Sequence, residues 1–254
     1  MTSAAERAAD RAIIAVSGDD REIFLQGLVT NDVRRLKDGL VYAALLTPQG
    51  KYLADFLLVP QKDRILIDVK ADLADGLLRR LGMYRLRAKV ALERLDMPVA
   101  RGLGQAPEGA LADPRHPALG WRAYGIAGAA AQTDWDAIRV RHCIPETGIE
   151  LIPDETYILE AGFERLNGVD FRKGCYVGQE VTARMKHKTE LRKGLVRVRV
   201  EGAAPIGTEI QADGKVVGRL FTQSGGLGIA YLRHDRARDR MQAGEAIVRP
   251  DTSA

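Results

Sequence analysis

The sequence predicts an α+β fold that ends in a small β-barrel. Strand and helix patterns mix within the first 95 residues: two apolar runs flank Thr47-Pro48-Gln49-Gly50, and leucines recur at 73, 77, 78 and 81 at helical spacing. After His187 the pattern changes to short strands separated by glycine turns, which is typical of a small barrel. The 254 residues are 46% hydrophobic and 28% charged, so the chain can bury a core.

The first part of the chain predicts a mixed layer of strands and helices. Apolar runs bounded by turn residues predict strands at 13–16, 41–46, 52–59, 63–69 and 89–95. The run Ser17–Asp20 caps a helix to about residue 26, Thr30–Asp32 starts a second, and the leucine spacing predicts a third at 71–81. These elements form the first predicted domain, residues 1–95.

The remainder divides into a second α+β module at 96–190 and a barrel at 191–254. Residues 97–131 are rich in Gly, Ala and Pro, which predicts surface loops around a strand at 120–126. Helical stretches are predicted at 134–143, 155–162 and 177–185. Barrel strands are predicted at 195–200, 229–233 and 246–248, with a hairpin at 209–220 that turns at Asp213-Gly214.

Composition excludes several classes of protein. No apolar run approaches the length of a membrane span, and the N-terminal residues lack the apolar core of a secretory signal, so we expect no membrane partner. Cys143 and Cys175 are too few for a disulfide framework or for the four usual ligands of an iron–sulfur cluster. The sequence therefore predicts reduced thiols, a cytoplasmic location and no resident metal, and we read Cys143 as a core residue.

The net charge of +4 is concentrated in one span. Residues 165–199 hold ten Lys or Arg and three acids. Such a field attracts an anion: a carboxylate-tailed small molecule, a phosphate or RNA. A solvated basic face is the alternative. RNA is the weakest of these, since Phe171 and Tyr176 are the only aromatic residues of the span and no RNA-binding motif is found.

One segment of this span carries chemistry: Lys173-Gly174-Cys175-Tyr176-Val177-Gly178-Gln179-Glu180. A lysine beside a thiol favours the thiolate, and glycines allow positive φ or a close approach of the backbone. An inert thiol in a turn is the competing interpretation.

This segment resembles the signature of the YgfZ-type folate-binding proteins, relatives of the glycine cleavage T-protein (aminomethyltransferase). Two further segments are similar to motifs of that family, Phe24–Val33 and Leu46–Phe56, and the likeness runs from about residue 10 to 248. The resemblance implies a ring of modules of ferredoxin-like, split α+β type around a tetrahydrofolate site, with the barrel at the C-terminus. It also implies a role in assembling or repairing iron–sulfur clusters, with assembly factors or client enzymes as partners.

The resemblance also implies roles for individual residues. Asp55 corresponds to an acid near the reactive nitrogen of folate in T-proteins, although Ala54 stands where they carry a second Asp, and a solvent-facing hairpin Asp is the alternative. Glu160 corresponds to the glutamate that grips the pterin, and Cys175 is the candidate reactive thiol. The remaining candidates are folate contacts and support residues of the motif. The folate contacts are Arg172, Lys173, Tyr176 and Arg184, and the support residues are Thr30, Asn31, Asp32, Gly174, Gly178, Gln179 and Glu180.

The leading prediction is a tetrahydrofolate-binding accessory protein for iron–sulfur cluster assembly. The alternatives are a folate-dependent aminomethyl or methyl transferase and, less favoured, an RNA-binding module. The Cys175 signature favours the first, because T-proteins lack it.

Overall fold

The computed structural model describes residues 5–188 and 191–251. The chain forms two compact units that each combine two separate segments, Met1–Gln132 with Glu164–Gln179, and Thr133–Phe163 with Glu180–Ala254. No helix in the described part of the chain is long and apolar enough to cross a membrane. The domain boundaries predicted at residues 95 and 190 stay a prediction.

The first unit is built on two antiparallel sheets. Its elements in chain order are β1 (Glu6–Arg7), β2 (Arg11–Ser17), α1 (Arg21–Gln26), a 3-10 helix (Val33–Asp38), β3 (Val41–Leu46), β4 (Tyr52–Pro60), β5 (Arg64–Lys70), α2 (Ala71–Arg85), β6 (Ala91–Leu95), β7 (Val99–Gly102), β8 (Leu111–Ala112), a second 3-10 helix (Pro117–Leu119) and β9 (Trp121–Tyr124). The larger sheet has the order β3-β4-β5-β2-β6 and the smaller one β1-β7-β9-β8.

The two faces of the larger sheet differ in chemistry. Because successive side chains of a strand point to opposite faces, Ala43, Leu45 and Phe56 join one apolar core together with side chains of α1 and α2. The other face carries buried polar residues, Asp55 and Asp68. The sheet is therefore covered on both sides, and its second face is where polar chemistry is held away from water.

The second face is tied to the smaller sheet by buried charges. The Asp68 carboxylate accepts hydrogen bonds from Arg11 Nε at 2.6 Å, Arg122 Nη1 at 3.0 Å and Tyr124 Oη at 3.0 Å. Arg122 Nε in turn donates to Asp113 Oδ2 at 3.1 Å. Burial alone would raise the pKa of Asp68, but the Arg11 and Arg122 guanidinium groups hold it below the ordinary value of 3.8.

The second unit contains a closed six-stranded barrel. Its elements are α3 (Trp135–His142), α4 (Gln179–Lys188), β10 (Lys193–Glu201), β11 (Thr208–Ala212), β12 (Lys215–Ser224), β13 (Leu227–Arg233), β14 (Met241–Ala243) and β15 (Ala246–Pro250). The strand order is β10-β13-β12-β11-β14-β15. Asp213 and Gly214 both have positive φ, as a tight hairpin turn requires. The predicted α+β class with a C-terminal β-barrel is confirmed.

Some local predictions are wrong. Residues 155–162 form turns rather than a helix: Asp154 and Gly162 have positive φ, and the Glu160 carbonyl accepts from the Leu195 N–H instead of a helical partner. The helix after Thr30–Asp32 is of the 3-10 type, with the Asp32 side chain capping it. Strands β7 and β8 lie in the stretch predicted as loops, where short strands rich in Gly and Ala give little pattern.

Candidate functional site

The Cys175 loop, residues 173–179, is anchored in the first unit by a buried lysine. The Lys173 ammonium donates to the carbonyls of Gln26 at 2.6 Å and Val29 at 2.5 Å, and it lies 5.0 Å from the centre of the Tyr176 ring. Lys173 and Tyr176 are both only 7% exposed. These contacts favour an interior role for both residues over the contact with folate implied by the resemblance.

A close backbone contact holds the other end of the loop. Gly178 has a φ of +82°, and a Cβ built on it would lie 2.5 Å from the Thr47 carbonyl oxygen and 3.1 Å from Gly50 Cα. Real Cβ atoms essentially never come within 3.0 Å of such atoms. The loop thus sits directly on the turn between β3 and β4, where only glycine fits.

The N-terminal motif supports the same loop. Gln26 Nε2 donates to the Lys173 carbonyl at 3.3 Å and to Asp32 Oδ1 at 3.1 Å, while Gln26 Oε1 accepts from the Val33 N–H. The Thr30 hydroxyl donates to the Gly168 carbonyl at 2.7 Å. Asn31 Nδ2 donates to the carbonyls of Tyr42 and Asn167, both at 2.7 Å. The three motifs, far apart in sequence, therefore meet in one place.

Local hydrogen bonds hold polar residues of the N-terminal motif and of the Cys175 loop. A hydrogen bond from Arg34 lowers the pKa of Asp32 to about 2, so Asp32 is ionised at neutral pH. The Gln179 side-chain oxygen accepts from the Tyr176 N–H at 3.3 Å. Gly174, with a φ of +98°, has open space where a Cβ would point.

The thiol at the centre of the loop faces solvent. Cys175 is exposed, whereas Cys143, predicted as core, is intermediate in exposure at the end of α3. Arg172 is exposed beside the loop, and its backbone N–H donates to Asp170 Oδ1. Cys175 is therefore exposed on a loop whose backbone is held by the contacts of Lys173 and Gly178 within the first unit.

Asp55 lies on the polar face of the larger sheet and is only 5% exposed. Its two carboxylate oxygens accept from the hydroxyls of Tyr52 at 2.8 Å and Tyr42 at 3.0 Å. Burial first, and then the Asp55 charge, raise the pKa of Tyr42 well above 10. Asp55 is thus a buried acceptor with two phenol donors, and the solvent-facing alternative is wrong.

Glu160 lies in the second unit, where the barrel holds its carboxylate. Oε2 accepts from the Tyr231 hydroxyl at 2.6 Å, and Oε1 is 3.8 Å from the Lys193 ammonium. Burial and the bond to Glu160 raise the pKa of Tyr231 well above its usual value. In the same unit Glu180 and Arg184 are exposed residues of α4.

Several of these contacts involve residues that the sequence analysis missed. Gln26 stands inside the quoted motif Phe24–Val33, so its position was a usable signal. Tyr52 stands inside the second motif, Leu46–Phe56, three residues from Asp55, so it too could have been found. Tyr42 and Tyr231 lie on other strands than Asp55 and Glu160, and nothing in the local sequence joins them to these carboxylates.

Lys173 gives a testable pH dependence. Burial lowers its pKa from 10.5 to about 8, so between these values the unfolded chain binds more protons than the folded one. The free energy of unfolding of the wild type should therefore rise with pH from 8 towards 10.5, relative to Lys173→Met. Denaturant titrations at several pH values measure this difference. The exposed Lys215→Met serves as control, and a parallel pH dependence of wild type and Lys173→Met would contradict the assignment.

Comparison with known proteins places this geometry in a family. The family pattern described as "CAF17, C-terminal beta-barrel domain" matches residues 192–254. The human protein named iron–sulfur cluster assembly factor IBA57, mitochondrial, is 30% identical over 95% of this chain and 83% of its own length. Homologues so named from Neurospora crassa and Mycosarcoma maydis are 35% and 34% identical over 80% and 73% of this chain. The chain spans about half the length of these two relatives, 55% and 54%.

A solved structure agrees on the fold. The glycine cleavage system aminomethyltransferase T from Bartonella henselae superimposes with a TM-score of 0.76, covering 98% of this chain and 85% of its own, at 14% identity. At this identity the likeness shows a shared fold. Together with the IBA57 relatives and the CAF17 family match, it confirms the resemblance inferred from the motifs at the level of the superfamily.

These comparisons correct one prediction and settle the family. The relatives are named as mitochondrial proteins, so the predicted cytoplasmic location is wrong. The similarity to human IBA57 covers 95% of this chain and 83% of that protein, which is enough to show the family. The chain belongs to the IBA57 family of iron–sulfur cluster assembly factors.

Proposed function

We propose that this protein is an iron–sulfur cluster assembly factor that acts through the Cys175 thiol and binds tetrahydrofolate. Its relatives are named for iron–sulfur cluster assembly, which supports the first part. One structural observation carries the role of the thiol: Cys175 is exposed on a loop whose two ends are fixed by buried contacts of Lys173 and Gly178. A cysteine that only fills space would not require an exposed position on a loop that is fixed at both ends.

The chemistry open to this thiol fits the proposed role. A thiolate is both a nucleophile and a ligand for iron, and it reacts only where a partner can reach it. Cluster iron would be the substrate, approaching from solvent: the thiolate would coordinate it without a change of oxidation state, and the thiol proton would pass to water. The anchored loop keeps the sulfur in one position, which lowers the entropy cost of forming a bond to the substrate.

Glu160 fits the predicted contact with folate. The edge of a pterin presents two parallel N–H donors, and a carboxylate accepts such a pair with defined geometry. The Tyr231 hydroxyl occupies one acceptor position of Glu160 and orients the group, and an ionised carboxylate has further lone pairs to offer. Glu160 would therefore hold the pterin, and the exposed Arg184 of the same unit would meet its anionic tail.

Asp55 would serve as a proton carrier within the first unit. Tetrahydrofolate, when bound, supplies a carrier of one-carbon units. Asp55 is buried and accepts from Tyr42 and Tyr52, so it can hold or return a proton with little movement.

Loss of the thiol should abolish the cellular function. We expect Cys175→Ser to fail to restore an iron–sulfur enzyme in cells lacking this protein, with its melting temperature unchanged because the side chain is exposed. Cys143→Ser is the matched control and should restore activity. Full rescue by Cys175→Ser would overturn the role of the thiol.

Folate binding is tested separately. We expect Glu160→Gln to raise the Kd for tetrahydrofolate by about 10- to 100-fold, as for loss of a charge-assisted pair. Glu201→Gln, on the barrel surface, should leave the Kd unchanged. Titration calorimetry gives both values, and a wild type that fails to bind would remove folate from the proposal while leaving the thiol role intact. One-carbon transfer to tetrahydrofolate with turnover would favour the transferase instead.

A further inference from the structure

The end of α2 and the loop that follows it form a basic tip, residues 79–92, in the first unit. This stretch contains five cations and no acid: Arg79, Arg80, Arg85, Arg87 and Lys89. Four of the five are exposed and Arg80 is partly so. Within the described residues none of them forms an ion pair with a carboxylate. The tip therefore carries an excess of positive charge, with the Asp20 carboxylate at its Lys89 end.

Two large apolar side chains stand among these cations. Leu86 is 88% exposed and Met83 is 66% exposed. Leu86 follows α2 with a φ of +42° and a ψ of −107°, a backbone conformation that residues with a Cβ rarely adopt and that glycine takes without strain. Neither burial nor helix capping accounts for a leucine here, since glycine would make the more stable cap.

The tip is held in place from both sides. Leu81 and Val90 are buried in the core of the first unit, and the Lys89 N–H donates to Asp20 Oδ2 at 2.7 Å. The Ala88 N–H donates to the Arg85 carbonyl at 2.8 Å. These contacts fix both ends of a short turn. The exposed side chain of Leu86 projects from that turn.

We propose that the basic tip binds the surface of an anionic lipid bilayer, with Leu86 and Met83 inserted among the acyl chains and the surrounding cations on the headgroups. Apolar side chains ringed by Lys and Arg are the pattern of peripheral attachment, where burial and charge attraction add together. This proposal departs from the expectation of no membrane partner, which rested on the absence of a spanning segment and a secretory signal: a contact at the surface of the bilayer needs neither.

A protein partner fits the tip less well. Specific protein interfaces bury about 800 Å² on each side and centre on a well-packed patch. Here two side chains protrude singly from a turn and offer a small area. A bilayer accepts a protrusion of this kind without a preformed pocket.

The test is sedimentation of the full-length protein with vesicles of phosphatidylcholine alone or with added phosphatidylserine. We expect binding to the anionic vesicles only, and weaker binding as salt is raised. Leu86→Gly should weaken binding by about tenfold, the effect of losing one inserted apolar side chain. It should also raise the melting temperature, because the strained cap is relieved. Arg85→Glu/Arg87→Glu should abolish binding.

A control variant and the results that would contradict the proposal complete the test. Ile206→Ala removes another exposed apolar side chain, on the barrel unit, and should leave binding unchanged. Equal binding of wild type and Leu86→Gly, or no binding to anionic vesicles at low salt, would overturn the proposal. Binding to polyglutamate but not to vesicles would also overturn it, in favour of an acidic protein partner.

Discussion

Gly178→Ala should displace the Cys175 loop and remove the function that depends on its thiol. The added Cβ would lie 2.5 Å from the Thr47 carbonyl oxygen, and that oxygen is backbone, so the loop or the turn must move. The positive φ adds strain of about 1–2 kcal/mol for any residue with a Cβ. Overpacking adds about 1–3 kcal/mol more. We expect a clear fall in melting temperature and failure to restore an iron–sulfur enzyme in cells.

Gly174→Ala is the matched control for this change. Gly174 also has positive φ, at +98°, but its Cβ would meet open space. It should therefore show the backbone strain without the clash, with about 1–2 kcal/mol lost and the rescue of activity retained. If the two variants lose equal stability and equal function, contact with the turn at Thr47 is not what positions the loop.

The comparison of Gly178 with Gly174 shows how much of the site could be predicted from the sequence. The motif and its two companion segments could be recognised as belonging together, and the hairpin around Thr47–Gly50 follows from its turn residues. That Gly178 rather than Gly174 touches this turn could not be predicted. Both glycines have the same local chemistry, and the contact joins residues about 130 positions apart in sequence.

Lys173 shows a second limit of the sequence. Its place beside Cys175 and within a basic span favours an exposed cation that would meet an anion. In the structure its ammonium is buried and donates to carbonyls of the segment 26–29. Neighbouring residues of a loop can point in opposite directions, and only the path of the backbone decides which one enters the interior.

The barrel was the easier prediction for a physical reason. Three of its six strand pairs join sequence neighbours through short turns, so alternation and turn residues define much of it locally. The polar face of the larger sheet depends instead on contacts across the whole unit. Asp68 and Arg122 are 54 residues apart, and each reads as an isolated charge within an otherwise apolar strand pattern.

Asp68→Asn should be among the most destabilising conservative substitutions in the first unit. The carboxylate is fully buried and pairs with Arg11 and Arg122, whose own side chains are 9% and 5% exposed. Asparagine keeps the shape but removes the carboxylate charge that faces Arg11 and Arg122, of which Arg122 still pairs with Asp113. Breaking a buried pair from one side costs about 3–5 kcal/mol, and a chain of this size loses about 2–4 °C of melting temperature per kcal/mol. We therefore expect a fall of roughly 10 °C.

Asp75→Asn is the control, because Asp75 pairs with Arg94 at the surface, where such pairs contribute about 0–1 kcal/mol. The pH dependence separates charge from shape. The folded-state pKa of Asp68 lies below 3.8, so its contribution is complete above that pH and is lost as pH falls through the lowered value. The free energy of unfolding of the wild type should therefore decline more steeply below pH 3.8 than that of Asp68→Asn. Equal slopes, or a loss no larger than that of Asp75→Asn, would mean that the buried charges do not hold the two sheets together.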